Sequence, residues 1–295
     1  MKKQKKSKKD CNRSNLPHNR FEVFFDCIKQ RYDVLALCGI LILISSIPFV
    51  AIKIFSIMAI QNMDSNEISQ FLTISSLIEI PLTLLIAVAI SGCVRVIKRL
   101  IWAEPIIFWF DFKEGVKQNY KSYIATTAIL SVLNYLNSLT YSTLDSSLIN
   151  RIPSLIFITI IVPISLYTYS QSAVYNEKYS KLLSNGLLIY IKTVPISLLF
   201  SLLLSSVQLI VYIPIISYQI IAWVLVFFFL CPMYMMAWLL YSFNKFDKLI
   251  NQYQYPEIVG KGIWSNEDNE NNIWFEDNLW YILKILAHSM MTVVL

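Results

Sequence analysis

Charge is what this chain most lacks. Only 15% of its 295 residues are Asp, Glu, Lys or Arg, against 56% hydrophobic, whereas soluble domains carry about a quarter charged and about half apolar residues. Glycine is scarce too, at six, which argues against repeated Gly-x-x-x-Gly helix crossings. His18 and His288 are the only histidines. There is no His-Glu-x-x-His, Walker A or Gly-x-Ser-x-Gly motif and no cluster of carboxylates, so the sequence offers no metal centre, nucleotide loop or serine nucleophile. The stretches around Gly186 and Gly260–Gly262 are not phosphate loops, and serines inside apolar runs ordinarily back-bond to their own helix. The expectation is a non-enzymatic chain with no cofactor and no metal. None of the five cysteines has zinc-ligand spacing, and none falls in a connector on the acidic side, so no structural disulfide is expected.

What the chain has is long apolar runs. Six are long enough, or nearly so, to cross a bilayer core of about 30 Å, which takes about 20 helical residues. They lie at about 34–60, 72–97, 122–140, 152–170, 193–215 and 217–243. Because they are continuous rather than alternating, they read as helices and not barrel strands. The fold class is therefore all-α, a polytopic membrane bundle of six transmembrane helices. The connectors alternate in charge. Residues 1–33 carry ten bases, the next connector has Asp64 and Glu67 and no base, and the one after has Arg95, Lys98, Arg99, Lys113, Lys117 and Lys121. All Lys and Arg except Arg151 and Lys53 fall on one side. By the positive-inside rule both termini are cytoplasmic. The first apolar run is too long for a signal-peptide core and no small-x-small cleavage site follows it. The net charge of +6 then reads as orientation plus attraction to anionic headgroups, about 1 kcal/mol per base near the surface, rather than as nucleic-acid binding.

The chain divides into a disordered basic arm (1–19), an interfacial amphipathic helix (20–33), the six-span domain (34–243) and a cytoplasmic tail (244–295). In the second piece Phe21, Phe24, Phe25 and Ile28 recur at helical spacing; the plainer reading is an early, wet start of the first span. Residues 273–295 are apolar but interrupted by Lys284 and His288, which suits a surface-lying helix or a docking segment better than a span. Seven prolines fall within or at the ends of spans: Pro48, Pro81, Pro153, Pro163, Pro195, Pro214 and Pro232. Each removes a backbone donor, and together they either shape the bundle or break helices around a cavity.

Three places interrupt the pattern. Lys53 and Glu79 are charges inside apolar runs, each seven residues from the outer end of its span. At about 1.5 Å per residue both lie about 10 Å deep, so they pair across the hairpin or each snorkels to the headgroups. On the third span, Thr127, Ser131, Asn134, Ser138 and Tyr141 form one stripe that should face the bundle interior, as interhelical hydrogen bonds or as a solute-lining face. The connector 98–121 is an aromatic elbow, re-entrant or lying on the surface, with a short helix after Asp111 that runs into the third span. Its candidate docking residues are Arg99, Trp102, Glu104, Trp109, Asp111, Phe112 and Asn119.

Residues 91–124, SGCVRVIKRLIWAEPIIFWFDFKEGVKQNYKSYI, resemble the YesL-like family of bacterial integral membrane proteins of unknown function, through Gly92, Arg95, Arg99, Glu104, Asp111, Phe112, Lys117, Asn119 and Lys121. FDKLINQYQYPEI at 246–258 is similar as well, and so is Ile47-Pro48 in the first span. The basic arm and the tail beyond 263 depart from the pattern. The resemblance implies a six-helix bundle in the bacterial cytoplasmic membrane, no known catalytic residue, and an accessory role linked to carbohydrate uptake. The expected partners are the bilayer and a membrane or cytoplasmic protein. The alternative is the permease subunit of an ABC-type transporter, working with a separate ATPase.

Overall fold

The computed structural model describes residues 17–60, 63–143 and 152–263. Most of the basic arm, the connector with Arg151, and the tail beyond Ile263 lie outside the described residues. Among the described residues regular structure is entirely helical, with no strand. We number the helices α1 (Arg20–Ile60), α2 (Ser65–Ile101), α3 (Phe108–Thr143), α4 (Ile152–Val174), α5 (Tyr179–Lys192), α6 (Val194–Tyr212) and α7 (Ile216–Gln254). Five of them contain runs long and apolar enough to cross a membrane: α1, α2, α4, α6 and α7. The architecture is that of a multi-pass membrane helix bundle. The remaining expected span, about 122–140, lies in α3, which is 36 residues long but falls below the apolarity of the other five.

α1 is one helix with a break at Arg31 (φ −138°, ψ 39°). Its first segment does not simply lie on a surface with its apolar stripe down. Val23, Phe24 and Cys27 are buried in the main core, and Cys27 Sγ lies 3.8 Å from the Leu100 carbonyl of α2. Phe25 stays exposed. The elbow is a tight turn between two long helices. α2 runs to Ile101, the turn follows with Ala103 at φ 54°, and α3 continues unbroken into the stretch expected as the third span, beginning at Phe108 rather than after Asp111. Few as the glycines are, they mark the closest crossings. A Cβ on Gly115 would lie 2.9 Å from the Gly92 carbonyl oxygen, and one on Gly39 only 1.9 Å from the Phe228 carbonyl oxygen.

α4 and α7 each contain a π-helical turn ending two residues before a proline: Phe157–Ile161 before Pro163, and Val226–Leu230 before Pro232. Proline cannot donate to the carbonyl four residues back and its ring clashes with it. The wider turn moves that carbonyl aside, and neighbouring helices use it. Tyr190 donates to the Thr159 carbonyl at 2.5 Å, and Phe228 presents its carbonyl to Gly39. α5 occupies a stretch that reads as a polar connector. It packs back along α4, where Gln171 donates to the Leu182 carbonyl at 3.1 Å and Gly186 faces the Ile164 carbonyl and Thr168. The main core joins all seven helices. At its centre Trp238 packs against Tyr167, tilted, and Phe200, edge-on, with ring centroids 4.8 and 5.0 Å away. A smaller cluster of Ile210, Trp223, Val226 and Leu230, with Phe49 against it, fills the other end.

Candidate functional site

Lys53 and Glu79 meet. Lys53 Nζ is 2.7 Å from Glu79 Oε1, with side-chain exposures of 26% and 10%. Helix rise brings them level, since α1 and α2 run antiparallel from the connector at residues 61–64. One turn nearer that connector Ser56 and Ser75 hydrogen-bond at 2.7 Å, both buried. One turn deeper the Lys53 ammonium lies over the Phe49 ring at 5.6 Å, and Phe49 packs edge-on to Trp223. Carboxylate and ring flank a charge that would otherwise face hydrocarbon.

Three of the five stripe residues on α3 are engaged in helix contacts. Ser131 bonds Thr83 at 2.7 Å and Ser138 bonds Ser76 at 3.1 Å, both on α2. Thr127 bonds the Tyr169 hydroxyl of α4 at 2.7 Å. Asn134 is exposed, and the side chain of Tyr141 lies outside the described residues. Asn119 continues the α2–α3 seam toward the elbow, donating to the Ser91 carbonyl at 3.4 Å.

The elbow divides into an internal knot and an exposed face. Arg99 bonds Glu104 at 3.2 Å and Asp111 more closely, and the other oxygen of Asp111 caps the Ile107 amide at 2.8 Å. Asp111 is wholly buried, Asn119 nearly so, and Phe112 packs on Gly92. Trp102 lies between two cations, Lys98 at 4.8 Å and Lys261 at 4.7 Å, and tilts against Phe243. Of the seven candidate docking residues only Trp109 is exposed, at 58%; Ile107 and Phe110 join it at 70% and 61%.

Sequence reasoning missed the hub beside this knot. Arg20 is 2% exposed. It donates to Asp247 at 2.9 Å and to the Lys261 carbonyl at 2.7 Å. Asp247 also accepts from Asn251 at 2.7 Å and from the Gly260 amide at 3.3 Å. Asn251 in turn accepts from Tyr175 at 2.5 Å. Tyr175 stacks on Tyr255, which donates to Glu177 at 2.9 Å, and Glu177 pairs with Lys181 at 2.5 Å. Hydrogen bonds from Lys181 and Tyr255 hold the Glu177 carboxyl below its usual range. The Glu177 bond raises Lys181, and burial raises Tyr175. A lone base opening α1 and a lone acid in FDKL were the only sequence signals for this hub. A second missed cluster is the hydroxyl triangle of Tyr167, Thr193 and Ser197, at 2.7, 2.9 and 3.1 Å, where α5 breaks into α6.

Among the described residues no group of three His, Cys, Asp or Glu could hold a metal ion. No protein-family model, curated protein or solved structure matches the chain.

Proposed function

We propose that this chain is a non-enzymatic accessory protein of the bacterial cytoplasmic membrane, crossing it six times with both termini inside and supporting a transport or envelope system through protein contacts. The observation that carries the reading is the division of the elbow. Arg99, Glu104 and Asp111 are spent on holding one end of the bundle together, while Ile107, Trp109 and Phe110 project from that base as exposed apolar surface, the anchor chemistry of a protein contact. A sixth crossing is supported by the seam along α2. Contacts from Ser91–Asn119 through Thr83–Ser131 to Ser76–Ser138 keep α3 beside a spanning helix for about 22 Å. The inside position of the termini rests on the one-sided bases, and the link to carbohydrate uptake rests on the YesL-like resemblance. The permease reading has less support, because three hydroxyls that would line a path are engaged in helix contacts.

Affinity purification in mild detergent tests the reading. The native chain should retain a membrane or cytoplasmic protein in stoichiometric amount, and Ile107→Ser with Trp109→Ala and Phe110→Ser should lose it while expressing normally. A stoichiometric ATPase would move the assignment to the permease subunit. Retention unchanged by the triple variant would remove the elbow as the contact.

A further inference from the structure

The exposed face at the start of α3 has a chemistry that extends beyond its aromatics. Trp109 and Phe110 are followed on the same side by Lys113, Lys117 and Lys121, spaced four residues apart and all exposed. The opposite side, with Asp111, Gly115 and Asn119, is buried against α2. Among the described residues no carboxylate lies within ion-pair distance of these three lysines. The face therefore combines an apolar patch with a ladder of cations about 6 Å apart. Its order along the helix disfavours lipid as the occupant. Trp109 sits about 18 Å farther from the apolar body of α3 than Lys121 does, whereas lipid insertion would place the aromatics nearer to it.

The described chain ends beside this face. Gly262, at φ 83°, packs so closely on the elbow that a Cβ there would lie 2.0 Å from the Ile101 carbonyl oxygen. Lys261 lies over Trp102, with its Nζ 3.9 Å from Glu104. From Ile101 to Ile107 the elbow spans at most about 22 Å, which about seven extended residues can bridge. The next 18 residues, 264–281, read WSNEDNENNIWFEDNLWY. They hold Glu267, Asp268, Glu270, Glu276 and Asp277, no Lys or Arg, and an aromatic group at Trp274, Phe275 and Trp280. Acids complement the lysine ladder, and aromatics complement Ile107, Trp109 and Phe110.

We propose that residues 264–281 of this chain cover the exposed face at the start of α3, so that an outside partner must displace the chain's own tail to reach it. The cover requires only that Ile263 and the elbow share one end of the bundle, so it stands independently of the membrane topology and of any partner.

Hydrogen exchange measured by mass spectrometry on the detergent-solubilised protein tests this. Residues 107–114 should exchange roughly tenfold faster in a chain ending at Ile263 than in the full chain. A synthetic peptide of residues 264–281 should restore protection, and the same peptide with its five carboxylates changed to amides should not. In the full chain, Lys113→Glu with Lys117→Glu and Lys121→Glu should exchange like the shortened one; this variant serves even if the shortened chain fails to fold. Equal exchange in the full chain and the lysine variant overturns the proposal. So does equal restoration by the neutral peptide. Protection that rises with protein concentration also overturns it, because the tail would then cover a second copy.

Discussion

Lys53 shows how a single residue can carry a cost and repay it locally. An ammonium in an apolar run is expensive, and its mate must lie at the same depth. Glu79 meets it at 2.7 Å. Deleting one partner leaves the other charge stranded. Lys53→Ala or Glu79→Ala should therefore destabilise the solubilised protein by about 3 kcal/mol, the low end for a broken buried pair because Lys53 keeps partial exposure. The exchange Lys53→Glu with Glu79→Lys should recover most of that loss, as read by thermal unfolding in detergent. An exchange that costs as much as either single change would mean the two act independently. This pair was legible because depth follows from counting residues along two neighbouring helices. The Arg20–Asp247 pair was not, since its partners lie 227 residues apart and no local spacing relates them. The close approach of Gly39 to Phe228 was hidden for the same reason.

At the scale of helices, the apolar runs were legible because run length is set by bilayer thickness. α5 was not, because its lysines made residues 179–192 resemble a connector; its role shows only in contacts with α4. The prolines were legible as breaks but not in their effect. Pro163 follows a π-helical turn, and the Thr159 carbonyl next to it accepts Tyr190. Tyr190→Phe should thus leave that carbonyl without its hydroxyl donor and cost about 1–2 kcal/mol. In a Pro163→Ala background the helix regains an amide able to bond Thr159, so the same change should cost clearly less. A double-mutant cycle by thermal unfolding reads the difference. Additive losses would show that the tyrosine serves α5 packing alone and not the carbonyl beside the proline. The two π turns preceding Pro163 and Pro232 thus bind helices to one another, where sequence alone favoured bundle shape and kept a broken-helix cavity as the lesser alternative.

Across the whole molecule the described chain closes on itself at the elbow end. Arg20 from α1, Asp247 from α7 and the strap at 255–263 meet in one hub, and Tyr175, Tyr255, Glu177 and Lys181 extend it to the start of α5. The outer rim of this network is exposed and titrates. The Glu177 carboxyl is lower in the folded chain than in the unfolded one, so its contribution is fully present above about 4.3, the unfolded value. It is lost as pH falls through the lowered folded value. Lys181 is raised, so its contribution is present below about 10.4 and lost as pH climbs past the raised folded value. The strap should therefore stay closed across neutral pH and open at both extremes. Proteolysis after Lys261, measured against pH on the solubilised protein, should accelerate at the acid limit and again at the alkaline limit. Glu177→Gln should flatten both limits at once, because it removes the acid that titrates and the partner that raises Lys181. If that variant keeps either limit, the rim does not govern the strap and the hub at Arg20 holds it alone.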